Sequence, residues 1–350
     1  MSILCLIEKM KNSIIIKFTI FLIAIFTCSK IDAQKIIISF YNCENFYDTI
    51  NQANVIDEDF LPTSEKKYTQ DLYKLKSKNL ATVIYDLGRL ENANGIALMG
   101  LAEIENKIVL NQLINENSIK KYHYKFIHFD SKDPRGVDVA LLYNPALFIP
   151  YQYKPFSLTD EKHFNHAATR DILLVKGLLI NKWIYILVNH WPSRRGVGNS
   201  SVKKRIWAST VCKKIMDSIE KMDPEASIIV MGDFNDNPNN RSIKMLKMSN
   251  PFMKLYKKGI GSIAYNDSWN LFDQILLSSN WLSNSKLNKN NFDLTNYKPI
   301  IYKENGMLEW AGKYRGYPKR TFNGNDFRGG YSDHFPVALI FTTNSAQNPL

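Results

Sequence analysis

Acids, amides and imidazoles recur along this 350-residue chain at the edges of short apolar runs. The islands are Asn42-Cys43-Glu44-Asn45, Glu103-Ile104-Glu105-Asn106, Asn189-His190-Trp191, Asp233-Phe234-Asn235, Phe272-Asp273-Gln274 and Ser332-Asp333-His334. Oxygen-rich side chains with two histidines and no cysteine cluster suit a hard divalent cation and a phosphate ester.

Each island has two readings. Glu103 either holds a cation at the mouth of a sheet or, with Glu105, places acid at the start of a helix from Lys107. Asp233 and Asn235 are two apart and point the same way from extended backbone. One can orient a water while the other donates to a phosphate oxygen; an Asx turn toward Pro238 is the alternative. Asp273 sits in an otherwise apolar run, where a charge is costly without a partner. The imidazole of His334, after Asp333, would be that partner, and the pairing would raise its basicity. His190 ends a strand; it either donates to a phosphate or leaving oxygen or is structural.

Alternating elements must position these groups. Strands are expected at Lys35–Phe40, Gly95–Leu101, Tyr122–Phe129, Val137–Tyr143, Asp171–Ile180, Lys182–Val188, Ser227–Met231, Leu271–Leu277 and Val337–Phe341. Helical spacing of apolar residues marks Asp71–Leu87, Lys107–Asn115 and Ser201–Met222. Many strands with few long helices fit two mixed sheets covered by helices better than a doubly wound parallel sheet. Residues 281–331 read as an irregular surface excursion. No repeat, Gly-rich phosphate loop or Gly-x-Ser-x-Gly element is present.

Residues 1–33 read as a secretory signal, with 34–350 as one domain. Lys11 and Lys17 precede an apolar stretch of about ten residues, and Ala33 supplies a small residue at the cut. That stretch is too short to span a bilayer comfortably. Residues 1–9 read as an upstream mis-start, and Phe26-Thr27 argue against a lipid anchor on Cys28. The expected location is periplasm or medium. Cleavage leaves Cys43 and Cys212, too few for a disulfide scaffold and read as buried hydrophobes. The formal charge of +12 would help hold a polyanion.

The ordered set Asn42, Glu103, His190, Asp233-Phe234-Asn235, Asp273 and Ser332-Asp333-His334 resembles the endonuclease/exonuclease/phosphatase (DNase I-like) superfamily over residues 35–343. Arg135-Gly-Val-Asp138-Val-Ala-Leu-Leu-Tyr143 and Trp269-Asn-Leu-Phe-Asp273-Gln resemble a secreted bacterial branch. The resemblance implies a four-layer α/β sandwich, two stacked mixed β-sheets flanked by helices. It implies Mg²⁺, with Mn²⁺ or Ca²⁺ as alternatives, on Glu103 with Asn42 and Asp333. It gives water activation to Asp233, oxyanion support to Asn235, a phosphate contact or shared base role to His334 held by Asp273, and charge stabilisation to His190. The roles of Asp233 and His334 are exchangeable between members. Asp138 is the candidate carboxylate partner of His190, and Arg135 a phosphate contact.

Asn189, Arg194 and Arg320 are the further candidate substrate contacts. Arg194-Arg195 with Lys203-Lys204-Arg205 forms one basic stretch. Lys313–Arg328, with Tyr314, Tyr317, Phe322 and Phe327, forms another that suits phosphates and unstacked bases. A Cys-Asp-Arg element of the inositol phosphatase branch is replaced here by Phe272-Asp273-Gln274. The leading expectation is a secreted, metal-dependent nuclease, monomeric and without a protein partner. A sphingomyelinase-like or other small-molecule phosphodiesterase or phosphatase comes second, and an idle binding module third.

Overall fold

An unbroken apolar run such as Ile36-Ile37-Ile38 is stable as a strand only where both faces are covered. The computed structural model describes residues 35–159, 169–194, 199–283 and 296–343, and it covers both faces of this run. The expected signal peptide, Cys28 and Arg195 lie outside the described residues.

The strands are β1 (Lys35–Phe46), β2 (Leu98–Ile104), β3 (Lys125–His128), β4 (Asp138–Tyr143), β5 (Phe148–Phe156), β6 (Ile172–Leu179), β7 (Lys182–His190), β8 (Ile228–Asp233), β9 (Ile263–Tyr265), β10 (Ser268–Asn270), β11 (Asp273–Leu277), β12 (Tyr297–Ile301), β13 (Phe322–Asn323), β14 (Asp326–Phe327) and β15 (Val337–Thr342). The long helices are α1 (Gln70–Leu87), α2 (Lys107–Ile114) and α3 (Ser200–Met222). One sheet runs β12-β15-β1-β2-β4-β3 and the other β11-β8-β7-β6-β5. Both are mixed, since β1 and β2 are parallel, as are β7 and β8, while the other neighbours are antiparallel.

Side-chain alternation builds the layers. Ile36, Ile38 and Phe40 face the second sheet, where they meet Val188, Ile229 and Met231. Ile37 and Tyr41 face the other way, against Leu80, Val83 and Ile84 of α1. On the far side, Leu187 and Val230 pack on Ala208, Cys212 and Ile215 of α3. The result is helix, sheet, sheet, helix, as the resemblance implies. Cys43 and Cys212 are free, buried and in different layers. Among the described residues no helix is long and apolar enough to cross a membrane.

Two glycines set close approaches. A Cβ on Gly100 of β2 would sit 2.7 Å from Met231 Sδ and 2.8 Å from Phe40 Cδ2, in the seam between the sheets. A Cβ on Gly232 would lie 2.3 Å from the Asn189 carbonyl oxygen, so β7 and β8 pair closely where the chemistry begins.

Several boundaries differ from expectation. β1 continues through the Asn42 island to Phe46, and β2 begins at Leu98 and runs past Glu103. The segment 281–331 contains β12 and the β13–β14 hairpin, not irregular chain alone. β5 was not foreseen. It is an edge strand with Pro150 and Pro155, largely exposed, so neither apolar alternation nor an uninterrupted β pattern marks it.

Candidate active site

The site forms where strands of both sheets end side by side. On the first sheet, the register of β1 with β2 shifts between Asn42 and Phe46, and that of β2 with β4 shifts between Ala102 and Ile104. Glu44, Asn45 and Glu103 all take positive φ there, 51°, 51° and 60°. Such backbone is costly for residues with a Cβ and persists only where surroundings enforce it. Glu103 is held by its Oε2, which accepts from Asn45 N at 2.8 Å.

On the second sheet, three adjacent strands put their chemistry in one row. Asp233 of β8 pairs in register with His190 of β7 on one side and Asp273 of β11 on the other. All three are buried. His334 reaches in from just before β15: its Nδ1 lies 2.7 Å from Asp273 Oδ2, which also accepts from Ser262 Oγ at 2.5 Å. His334 Nε2 is 3.8 Å from Asp233 Oδ2 and 3.9 Å from Asp333 Oδ1. His190 Nε2 is 3.7 Å from Asp233 Oδ2 and 3.9 Å from Glu103 Oε1.

Asn42 ties the two sheets together. Its Nδ2 donates to Asp233 Oδ2 at 3.1 Å and Glu103 Oε1 at 3.5 Å, while its Oδ1 accepts from Glu44 N. In this arrangement the amide spaces two carboxylates and turns no oxygen toward a cation between them. Ser332 braces the same corner by donating to the Asn42 carbonyl at 2.7 Å and accepting from His334 N.

The electrostatics divide the two histidines. Burial alone would lower the His334 pKa, but Asp273, Asp333 and Asp233 outweigh it and hold the ring well above its ordinary value. His190 is pushed well below its ordinary value by burial, then by Arg170 and Arg135. Burial thus favours the neutral ring of His190, while the surrounding carboxylates favour the imidazolium form of His334. Burial raises Asp233 to about 7, with Asp273 adding and His334 opposing. For Asp333, burial is outweighed by His334 and Arg320, which hold it below the usual carboxylate range.

A hard cation fits the mouth of this pocket. Glu103 presents carboxylate oxygen there, close to Asp233, and a divalent ion would offset the cost of burying the Asp233 charge, which is what mainly lifts its pKa. Ligand atoms of Asp233, Asp273 and His334 also lie within 4.8 Å of one another. Two of those groups are bonded to each other, so that trio is a hydrogen-bonded relay and not an oxygen cage.

Other sequence candidates are placed differently. Asp138 does not reach His190. Its Oδ1 accepts from Ser131 N within its own hairpin, and its Oδ2 lies 3.7 Å from His128 Nε2. His190 Nδ1 is buried without a hydrogen-bond partner. Asn189 is wholly buried and bonds to the Leu187 and Met231 carbonyls and the Trp191 indole, so it offers nothing to a substrate. Asn235 has φ 50° and donates to Trp191 O at 3.0 Å. Arg194 is engaged by Asn235 O, Asp236 and Asn240 and lies over the Phe272 ring. Arg205 is buried against Asp236, which removes it from any basic surface. Arg135 stays half-exposed beside Asp133, and Arg320 bonds Asp333 and lies 3.8 Å from Glu44. Phe322 is buried in the core beside α1.

Sequence reasoning missed Lys76 and Arg170. Buried Lys76 donates to Thr321 Oγ1 and Tyr331 O, both at 2.6 Å, and lies 3.9 Å from Glu44. It thereby fixes the loop that carries Arg320 and Asp333. Its signal was a lysine within the apolar stripe Tyr73, Leu80, Val83 of α1. Arg170 bonds Asp133 and the Trp191 carbonyl, and no local pattern announces it.

Two stacked mixed sheets with acids and imidazoles converging at one edge define a phosphoester hydrolase. The chain belongs to the endonuclease/exonuclease/phosphatase family, whose family model matches residues 37–343. Solved structures share the fold. TDP2 from Caenorhabditis elegans is 12% identical at TM-score 0.52, covering 89% of this chain and 76% of that one. D. rerio TDP2 complexed with a single-strand DNA product is 14% identical at TM-score 0.51, with 88% and 98% covered. A Bacteroides thetaiotaomicron mannosyl-6-phosphatase is 14% identical at TM-score 0.50, with 87% and 98% covered. No curated protein gives a significant match.

Proposed function

We propose that the protein is an exported, divalent-metal-dependent phosphodiesterase that hydrolyses nucleic-acid strands. The observation that carries this reading is the convergence of Glu103, His190, Asp233 and the Asp273–His334 pair, from both sheets, on one pocket. Glu103, with Asp333, would hold the cation, Mg²⁺ by its preference for oxygen, with Mn²⁺ or Ca²⁺ as substitutes. When bound it would neutralise charge on the phosphate. Asp233 accepts the proton of the attacking water as the new P–O bond forms and the ester P–O bond breaks. The His334 imidazolium neutralises the developing charge, His190 Nε2 faces the phosphoryl oxygens, and Asn235 borders them. Arg135 supplies a further phosphate contact.

An aromatic file supports a nucleic-acid substrate. Phe335, next to His334, stacks on Trp269 at 6.0 Å; Trp269 contacts Tyr317 at 5.9 Å, and Tyr317 contacts Tyr314 at 5.6 Å. Trp269 and Tyr317 are half-buried and Tyr314 is exposed, with Lys313 5.7 Å over its ring and Arg315 next in sequence. Rings and cations in series suit unstacked bases and phosphates. The solved TDP2 complex with single-strand DNA lends the same direction. A small phosphate ester is the second reading. Arg194 and Arg320 are already neutralised by carboxylates, and the mannosyl-6-phosphatase shares the fold.

The test is a panel of plasmid DNA, single-stranded DNA and RNA, sphingomyelin and mannose 6-phosphate, with and without EDTA, on the wild type, Glu103→Ala and His334→Ala. Strand cleavage lost with EDTA and in both variants is the expected result. Turnover of sphingomyelin or mannose 6-phosphate alone moves the assignment to small esters. Cleavage indifferent to both Glu103→Ala and EDTA would end the metal reading.

A further inference from the structure

The β3–β4 hairpin carries a second group of ligating side chains. His128 is the last residue of β3, Asp138 the first of β4, and Asp130 lies in the loop between them. One ligand atom from each lies within 4.8 Å of the others. His128 Nδ1 is 3.7 Å from Asp130 Oδ1, and Nε2 is 3.7 Å from Asp138 Oδ2. Those separations are too long for hydrogen bonds. The two contacts use opposite nitrogens of one ring, and a single ion takes only one of them. Each contact by itself matches two donors on one ion, which at about 2.1 Å each stand roughly 3–4 Å apart, and one ring nitrogen lies within 4.8 Å of both carboxylates.

A second observation points to a ligand. His128 is 5% exposed, and both its ring nitrogens are buried with no hydrogen-bond partner. Buried polar nitrogens are rarely left unmatched, so the ring is arranged for a group it does not find within the chain. Asp138 is likewise prepared: Oδ1 is fixed by Ser131 N, which leaves Oδ2 facing the ring. The Asp130 side chain is 77% exposed, so it can turn in from solvent and admit water to complete the coordination.

We propose that His128, Asp130 and Asp138 bind a structural divalent ion of the Zn²⁺ type. One imidazole with two carboxylates suits a borderline cation, whereas Mg²⁺ favours oxygen throughout. The ion clamps both ends of the loop 129–137. That loop carries Asp133, which bonds Arg170 and Arg135, and its Arg135 carbonyl accepts from Tyr47 Oη at 2.6 Å. The clamp therefore steadies the phosphate-facing Arg135 without taking part in the reaction.

The test uses the metal-stripped full chain in excess Mg²⁺, titrated with Zn²⁺ and desalted, with bound zinc counted by mass spectrometry. Wild type and Glu103→Ala should each retain one zinc equivalent. Asp130→Asn, altered at an exposed position, and His128→Gln should lose it. Proteolysis within residues 129–137 should slow with Zn²⁺ in the wild type but not in Asp130→Asn. The proposal is overturned if the wild type retains no zinc, or if the zinc equivalent survives Asp130→Asn.

Discussion

Asp273→Asn removes one negative charge from the site while keeping the side-chain shape. Asp273 is fully buried, and its Oδ2 accepts from both His334 Nδ1 and Ser262 Oγ. A hydrogen bond to a charged group contributes about 1.5–3 kcal/mol net. Asp273 is the largest of the interactions that hold the His334 ring up, so its loss should let the His334 pKa fall toward the ordinary histidine value. Because the folded value is raised, the pair's contribution is fully present below the unfolded histidine value near ~6.5 and fades as pH rises through the folded value. The substitution should therefore cost most near pH ~6 and progressively less toward alkaline pH. Weakening the imidazolium should lower kcat about 100-fold, the usual cost of removing one group that stabilises developing charge. The assays are urea unfolding at acid and alkaline pH, NMR titration of the His334 ring, and a pH–rate profile. An unmoved His334 titration, or a stability loss equal at both pH values, would refute the coupling.

Other outcomes follow from the same structure. Lys76→Met leaves Glu44, which burial and Asp333 already raise to about 7, without its buried cationic partner; unfolding stability should drop by about 3–5 kcal/mol, and Glu44→Gln in the same chain should restore part of it. The acid form of Asp233, held at about 7 mainly by burial, stabilises the fold at low pH, and that contribution is lost as pH rises through 7. A bound cation takes over above that pH, so EDTA should lower Tm more at alkaline than at acidic pH. Tyr314→Ala should weaken single-stranded DNA binding by about 5- to 10-fold, the low end of a stacked base's contribution, measured by fluorescence anisotropy, and leave hydrolysis of a small phosphodiester unchanged.

The sheets were legible because both faces of their strands are covered. Ile36-Ile37-Ile38 and Ile228-Ile229-Val230 announce themselves without partners in view. The site was legible for a related reason: charged residues at the ends of such runs have few stable places other than a shared mouth. What escaped was set by tertiary partners. Asp138 looks like a pocket acid from its spacing, but its carboxylate is held inside its own hairpin, with Oδ1 accepting from Ser131 N and Oδ2 turned toward His128. Asn189 sits beside His190 in sequence, but strand alternation turns it into the interior. Arg205 belongs to an apparently basic run until Asp236 buries it. Lys76 finds Thr321 and Tyr331 across 245 and 255 positions, a distance no local pattern can report.

The pocket belongs to neither sheet alone, and Gly100 lies in the seam beneath it, with Phe40 and Met231 against its missing side chain. Catalytic alignment is thus gauged by how far apart the two slabs of the interior rest. A single methyl there would force Met231 or Phe40 to move, and Gly100→Ala should lower turnover through the 3.1 Å Asn42–Asp233 link in a protein with every reacting group intact.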